Sequence, residues 1–245
     1  MQRRQEAVAR ARRRTAIIGG VVAGVLVIGG VVWAVAPSGS KKTPAAAAPS
    51  ASAAASTAAT PSASPSYKQW KTEPAMSIDT KATYTATIKL DQGTVTLKLN
   101  AAKAPHTVNS FVFLAKQGFF DNVKCHRLTT AGIYVLQCGD PTGTGSGGPG
   151  YSFTDENLKA FGSGTQVTYP AGTVAMANSG ANTNGSQFFL VYKDSPLAPS
   201  YTPFGTITGG LDTLQAIAKK GVQGGGTDGA PAESVVMKSV TTAKS

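Results

Sequence analysis

The sequence predicts a mainly β domain, an antiparallel barrel or sandwich packed with two helices, which follows a membrane segment and a linker. Short apolar runs of strand-like composition recur along residues 67–245 and are separated by glycine-rich turns. Only two stretches in that range have the apolar spacing of a helix, and they lie far apart in the chain. A long uncharged apolar run near the N-terminus predicts the membrane segment.

The N-terminus has the charge pattern of a membrane anchor. Six arginines lie in residues 1–14, and residues 15–36 carry no charge and are rich in Val, Ile and Gly. This length suits a helix that crosses a bilayer, and the preceding arginines predict a cytoplasmic N-terminus with the β domain outside the cytoplasm. Cleavage after Ala36, as in a signal peptide, is the alternative. Pro37, directly after that point, favours the uncleaved single-pass anchor.

Residues 37–66 predict a disordered linker, because they are almost entirely Ala, Ser, Pro and Thr and cannot bury enough apolar surface to offset chain entropy.

The formal net charge of +11 belongs largely to the N-terminus. Arg127 is the only arginine after residue 14, and the lysines of residues 67–245 are scattered among acidic residues. No basic stripe with interleaved aromatics is present in the sequence, so no nucleic-acid partner is expected.

The first elements of the domain are a hairpin and a helix. Thr83–Leu90 and residues 94–99 alternate between polar and apolar residues on either side of the turn at residues 91–93. Apolar residues at helical spacing over residues 108–115 predict a helix, with His106 as a surface or capping residue at its start.

Further strands follow, some joined by tight turns. Two pairs of apolar runs flank a Thr-Ala-Gly turn and a loop rich in Asn, Ser and Gly. The second loop lies beside an apolar wall, which suggests a site for an extended peptide; a hairpin packed into an ordinary core is the alternative. The predicted strands are residues 123–129, 133–137, 173–177, 187–192, 204–208 and 234–240, and the second helix is residues 211–219.

The chemical inventory of the domain is small. It has no paired carboxylates at helical spacing and no cluster with metal-ligand spacing, so we expect neither a metal nor a cofactor. The glycine-rich run at residues 139–150 contains G-x-G-x-x-G, but Pro149 and Gly150 follow it in place of a helix. Nucleotide binding is therefore not expected.

Two cysteines and one arginine lie on, or directly after, the neighbouring strands 123–129 and 133–137. Cys125 and Cys138 are either bonded or free, and the sequence leaves both states open. Arg127 needs a partner in its apolar setting, and Gln137 on the paired strand could hold its guanidinium. A structural salt bridge is the alternative role for this arginine.

Several of these segments together resemble the cyclophilins, a family of peptidyl-prolyl cis-trans isomerases, and in particular their bacterial membrane-anchored members. The resemblance covers roughly residues 82–240. It is carried by Cys125-His126-Arg127-Leu128, Gln137-Cys138-Gly139-Asp140, the glycine-rich run and residues 176–189. It implies an eight-stranded antiparallel closed barrel capped by two helices.

The resemblance also implies roles for individual residues. Arg127 matches the catalytic arginine, and Gln137 matches the glutamine that positions the substrate. The other matches are Tyr134, Val135, Phe189 and Leu197 for the proline pocket, Ala177, Asn178 and Gln187 for the substrate backbone, and Gly145 for the loop beside the neighbouring subsite.

Four positions depart from the family pattern. Tyr134 stands where the family usually has Phe, and Val135 where it often has Met. Tyr201, counted among the substrate-binding positions, stands where the family usually has His. Pro196 stands in place of a tryptophan that many members use to bind cyclosporin, which puts inhibition by that drug in doubt.

The predicted function is rotation of X–Pro bonds in secreted or cell-surface polypeptides, without a covalent intermediate and with Arg127 stabilising the twisted amide. The expected partners are proline-containing segments of such polypeptides and, through the anchor, the cell membrane; we expect a monomer. One alternative is a catalytically weak chaperone module that binds proline-containing peptides. Another is a structural domain without a ligand.

Overall fold

A computed structural model of the chain describes residues 67–245. The predicted membrane segment at residues 15–36 and the linker at residues 37–66 lie outside the described residues. Between residues 67 and 245, none of the helices combines the length and the apolar character needed to cross a membrane.

The described residues are mainly β, with two α-helices and one short 3₁₀ turn at Gln223–Gly225. In chain order the elements are β1 (Thr83–Leu90), β2 (Gly93–Asn100), α1 (Pro105–Lys116), β3 (Val123–Lys124), β4 (Arg127–Thr129), β5 (Val135–Cys138), β6 (Val167–Tyr169), β7 (Thr173–Met176), β8 (Phe188–Val191), β9 (Ser195–Leu197), β10 (Pro203–Gly209), α2 (Leu211–Lys220), β11 (Asp228–Gly229) and β12 (Val236–Lys244).

Ten strands form one antiparallel sheet in the order β11-β4-β5-β8-β7-β10-β2-β1-β12-β3, and β6 pairs separately with β9. β3 and β4 lie near opposite ends of the large sheet, although only Cys125 and His126 separate them in the chain. The sheet therefore curls until its two ends meet at these two residues. We call this place the seam, defined as residues 123–138.

The seam corrects two predictions. Among the described strands no ladder joins β3 to β4 or β11, so the sheet is a curled half-barrel rather than the predicted eight-stranded closed barrel. The predicted single strand at residues 123–129 is also wrong, because β3 pairs with β12 whereas β4 pairs with β5. The chain bends between them, where it leaves one end of the sheet and enters the other. Cys125 and Cys138 form a disulfide within the seam. Of the two states that the sequence left open for these cysteines, the structure therefore has the bonded one.

The first hairpin and helix confirm their predictions. β1 and β2 pair without interruption, and the inward residues Ile88 and Leu97 are fully buried. α1 packs Phe111 and Leu114 against the core, and Glu156 accepts hydrogen bonds from two backbone N–H groups in its first turn. A carboxylate at this end of a helix satisfies unpaired donors and interacts well with the helix dipole. His106 lies at the surface, as expected.

A second, smaller core lies apart from the main one and positions the cavity described below. It contains Val135, Tyr169, Ala175, Phe189 and Val191, from strands β5, β6, β7 and β8. The β6–β9 ribbon adds partly buried apolar residues to this cluster. The ribbon was not predicted, because its strands have only three residues each and one of them contains a proline, which is rare in paired strands.

Candidate active site

Arg127 and Gln137 face each other across β4 and β5. They are directly paired in the antiparallel register, which puts both side chains on the same face of the sheet. Arg127 Nη1 donates a hydrogen bond to Gln137 Oε1 at 3.3 Å. The contact expected from the sequence is therefore present.

Asp228, which sequence reasoning missed, holds the other edge of the same guanidinium. Arg127 Nε donates to Asp228 Oδ1 and Arg127 Nη2 donates to Asp228 Oδ2, each at 2.7 Å. This pair raises the pKa of Arg127 and lowers the pKa of Asp228, so both groups stay charged near neutral pH. The salt bridge considered for this arginine thus exists together with the glutamine contact. The sequence offered little signal for it, since Asp228 lies about a hundred residues away in a glycine-rich stretch.

A small cavity of about 150 Å³ opens beside Arg127, and we call it the apolar cavity because most of its lining residues are apolar or aromatic, although polar side chains line it as well. This volume is well below the roughly 300–1,000 Å³ of sites for drug-sized ligands, so the cavity suits one small side chain. The ring of Tyr201 packs edge-on against Phe189, with centroids 5.5 Å apart, and forms part of the wall. The lining residues are Arg127, Ile133, Val135, Gln137, Ala177, Asn178, Phe189, Leu197 and Tyr201.

Ile133, and not Tyr134, completes this wall. Ile133, Val135 and Gln137 are two residues apart and all line the cavity, as expected for alternate positions of an extended segment. Tyr134 points elsewhere: its ring lies 6.0 Å from that of Tyr192, with the Nζ of a lysine 4.3 Å from its centroid. The proline-pocket prediction for Tyr134 is therefore corrected, because neighbouring residues of an extended chain cannot both face one cavity. The period of two was visible in the sequence.

A larger polar cavity of about 540 Å³ adjoins the apolar one. Gln137, Ala177 and Asn178 border both cavities, so the two are contiguous. Gln187 lines the polar cavity, but its Nε2 already donates to the carbonyl oxygens of two glycines in the glycine-rich run, each at 2.9 Å. Gln137 Nε2 donates to Gln187 Oε1 at 2.9 Å. Gln187 thus connects Gln137 to the glycine-rich run.

Asp140 organises that run. Its carboxylate accepts hydrogen bonds from the backbone N–H groups of Thr142, Thr144 and Gly145. Burial alone would raise the pKa of Asp140, but hydrogen bonds from Thr142 and the loop backbone outweigh it and lower the pKa. Gly145 has a φ of +88°, a backbone conformation that residues with a side chain rarely adopt. The loop therefore needs glycine at this position.

The residues assigned from the resemblance are mostly brought together. Tyr134 is an exception, because it does not line the apolar cavity. Pro196 is exposed on β9, whereas the next residue, Leu197, lines the apolar cavity. Asn178 uses one amide hydrogen on the carbonyl oxygen of Ser200, at 2.8 Å. Those that line the apolar cavity are Arg127, Val135, Gln137, Ala177, Asn178, Phe189, Leu197 and Tyr201, and those that line only the polar cavity are Gly145 and Gln187.

The chemistry available here is that of a hydrogen-bond donor beside an apolar slot. Between residues 67 and 245, no group of three or more His, Cys, Asp or Glu is arranged to hold a metal ion. The guanidinium of Arg127 can donate to an electron-rich atom of a ligand whose apolar part fills the slot. An extended ligand would continue along the polar cavity.

A family model described as "Cyclophilin type peptidyl-prolyl cis-trans isomerase/CLD" matches residues 85–242. Among curated proteins, the chain is 54% identical over 172 residues to a probable peptidyl-prolyl cis-trans isomerase B of Mycobacterium leprae, covering 65% of this chain and 57% of the relative. It is 56% identical over 158 residues to the protein of the same name from Mycobacterium tuberculosis, covering 61% and 51%. The chain thus spans little more than half the length of these relatives.

The described fold is also similar to solved structures. A cyclophilin-type peptidyl-prolyl cis-trans isomerase of Cryptosporidium parvum matches with a TM-score of 0.57 and 27% identity, over 66% of this chain and 99% of that one. A second structure of the same protein, determined in the presence of the dipeptide Ala-Pro, matches with the same TM-score and 28% identity over the same shares of the two chains.

Proposed function

The chain belongs to the cyclophilin-type peptidyl-prolyl cis-trans isomerase family, and we propose that it catalyses rotation about X–Pro bonds in polypeptides. The observation that carries this proposal is the position of the guanidinium of Arg127. It lies at the edge of a small apolar cavity and is held from two sides, by Asp228 and by Gln137.

The reaction breaks no bond, which explains why such a small chemical inventory suffices. An X–Pro bond isomerises over tens of seconds, because amide resonance opposes rotation with a barrier of about 20 kcal/mol. At the top of that barrier the amide is twisted, and the prolyl nitrogen regains a lone pair. A catalyst needs only to bind the twisted amide better than either planar form.

The two cavities provide for both parts of such a substrate. The proline ring enters the apolar cavity against Val135, Phe189 and Leu197, and the preceding residues extend along the polar cavity past Asn178. This arrangement brings the prolyl nitrogen towards Arg127.

Arg127 has donors left for this purpose. Of its five N–H groups, Asp228 and Gln137 take three, which leaves one hydrogen on Nη1 and one on Nη2. A charged N–H that donates to the prolyl nitrogen only when the amide is twisted stabilises the transition state selectively. One such donor in a partly dry site contributes roughly 3–4 kcal/mol, or about 10²–10³ in rate.

We also propose that the domain acts outside the cytoplasm, tethered to the cell membrane by residues 15–36, on secreted or cell-surface polypeptides. The arginine-rich N-terminus and the apolar run after it support this placement. The linker would allow a reach of roughly 30 Å on average. Protein isolated from cells should keep residues 1–36, and a mature N-terminus at Pro37 would contradict the anchor.

A peptide exchange assay with the full chain tests the proposed activity directly. Catalytic amounts should speed the cis–trans exchange of an Ala-Pro peptide in both directions, and Arg127→Ala should reduce kcat/KM about 10²–10³-fold while the thermal unfolding temperature stays unchanged. Lys124→Ala, which removes an exposed cation from the neighbouring strand β3, serves as the control and should keep full activity. Full activity of Arg127→Ala would overturn the proposed role. Saturation at stoichiometric amounts without turnover would point to a peptide-binding chaperone instead.

A further inference from the structure

We propose that Asp228 is a positioning residue for this reaction, which sets the rate by fixing the plane of the Arg127 guanidinium. The inference rests on the proposed function. It starts from the two hydrogen bonds between the Asp228 carboxylate and Arg127 Nε and Nη2, both at 2.7 Å. A carboxylate that accepts two parallel N–H bonds fixes the guanidinium in distance and in orientation.

Gln137 alone cannot fix this orientation. It accepts a single hydrogen bond from Arg127 Nη1, and that bond is longer, at 3.3 Å. A single contact at one end of the guanidinium permits rotation about the last bonds of the side chain, so the hydrogens left on Nη1 and Nη2 would not stay aimed at the cavity. With Asp228 at the opposite edge, rotation would break two short bonds.

Asp228 is itself held by backbone pairing. β11 pairs antiparallel with β4, so that Asp228 lies opposite Thr129 and Gly229 lies opposite Leu128. Just beyond this pairing, the backbone N–H of Thr130 donates to Thr227 O at 2.8 Å. The two-residue strand β11 therefore delivers the carboxylate to the strand that carries the arginine.

The other edge of the guanidinium has its own anchor. Gln137 is oriented by its hydrogen bond to Gln187, which in turn holds the glycine-rich run. Arg127 thus lies between two partners that are fixed by different parts of the chain. Loss of either partner leaves the guanidinium attached at one edge only.

The ion pair between Arg127 and Asp228 is too exposed to contribute much to the folding stability of the domain. The side chains of Arg127 and Asp228 are 39% and 54% exposed, and ion pairs with this exposure contribute little to folding. The geometric restraint, in contrast, acts on the one side chain that we place at the reacting nitrogen. Removing the carboxylate should therefore affect the reaction rate far more than the unfolding temperature.

The test compares three variants of the full chain in the peptide exchange assay. Asp228→Asn should reduce kcat about tenfold, because misplacing a reacting group by even 1 Å can be costly, while KM changes less than twofold. Asp228→Glu, which restores a carboxylate, should recover part of the loss. Asp91→Asn is the matched control, since it opens the exposed ion pair with Lys238 far from the cavity and should leave kcat unchanged.

A spectroscopic readout separates positioning from a general structural effect. The full chain has six other arginines, all in residues 1–14, so the Nε–H signal of Arg127 in a ¹H–¹⁵N spectrum is identified as the one that the Arg127→Lys variant lacks. The signal should exchange slowly with water in the wild type and fast in Asp228→Asn, at an unchanged unfolding temperature. This readout does not depend on activity, so it would still report on the ion pair if the isomerase proposal failed.

Three results would overturn the inference. One is a kcat of Asp228→Asn within twofold of the wild type. Another is a loss that appears in KM alone, because a positioning residue for the twisted amide should change kcat. The third is a loss of kcat matched by partial unfolding in Asp228→Asn and not relieved in Asp228→Glu, which would indicate a structural role.

Discussion

The β1–β2 hairpin and the seam are both built from neighbouring antiparallel strands, yet they differ in regularity. The hairpin has eight consecutive residue pairs, from Thr83 opposite Asn100 to Leu90 opposite Gly93. In the seam, β4 and β5 share only two pairs, and the chain breaks its pairing at Cys125 and His126. The regular region buries its alternate side chains, whereas the broken region presents Arg127 to a cavity.

The difference shows how stability and function are divided in this domain. Every inward side chain of the hairpin serves the main core. In the seam, β4 and β5 share only a short ladder, and polar side chains such as Arg127 lie outside the core. The disulfide between Cys125 and Cys138 adds a covalent link where backbone pairing is sparse. Four predictions test this division, ordered from the largest expected effect to the smallest.

The hairpin should control stability and leave catalysis unchanged. Leu97 is fully buried in β2, so Leu97→Ala should lower the free energy of unfolding by about 3 kcal/mol, within the range of about 2–5 seen for such cavities. Urea unfolding measures this loss, and kcat/KM of the folded protein should remain within twofold of the wild type. Lys98→Ala, on the exposed face of the same strand, is the control for stability. A large loss of kcat/KM in folded Leu97→Ala would break the proposed division.

The seam should depend on its covalent link for stability. The disulfide closes a loop with a sequence separation of 13, and the chain-entropy model gives about 3 kcal/mol for a loop of this length. The double variant Cys125→Ala/Cys138→Ala should lose about that amount in urea unfolding. Its kcat/KM should fall less than tenfold, because Arg127 and Gln137 remain paired through β4 and β5. Wild-type protein reduced with dithiothreitol should behave like the double variant, and an unchanged unfolding midpoint in both would argue against a stabilising bond.

Consecutive positions of the seam should differ in their effect on the isomerisation of the substrate. Ile133 lines the apolar cavity and Tyr134 does not, so Ile133→Ala should lower kcat/KM about fivefold, through roughly 1 kcal/mol of lost apolar contact. Tyr134→Ala should change it less than twofold. Peptide exchange rates measured for both variants decide the matter, and the reverse order would restore Tyr134 to the proline pocket.

The smallest expected effect is a pH dependence of stability that arises in the seam. Burial lowers the pKa of His126 below 6.5, and both ring nitrogens are buried without a hydrogen-bond partner among the described residues. The folded protein therefore protonates this histidine less readily than the unfolded chain, which takes up a proton as the pH falls through about 6.5. Stability should accordingly decrease from pH 7.5 to pH 5.5.

The variant His126→Gln should reduce that decrease, as measured by unfolding temperatures across this pH range. His106→Gln, at a histidine on the protein surface, is the matched control. An identical pH dependence in wild type and His126→Gln would show that other groups cause it.

The hairpin and the first helix were predictable because their signals are local. Alternation over Thr83–Leu90 predicts that strand with its observed bounds, and helical spacing predicts α1, which begins three residues earlier and ends one residue later. The pairing of Arg127 with Gln137 also follows locally, since their strands are joined by a short turn. The resemblance added the cavity residues on β8 and β9 and directly after β7, which no local pattern could connect to the arginine.

The sequence by itself determined both helices, the longer strands and which side chains carry charge, because these properties depend on neighbours within a few residues. Only the tertiary structure decided that residues 123–129 divide between two ends of a sheet and that Asp228 meets Arg127. Each of these depends on pairing between distant segments. A two-residue strand such as β11 has no pattern of its own, and its position is settled by the strand it pairs with.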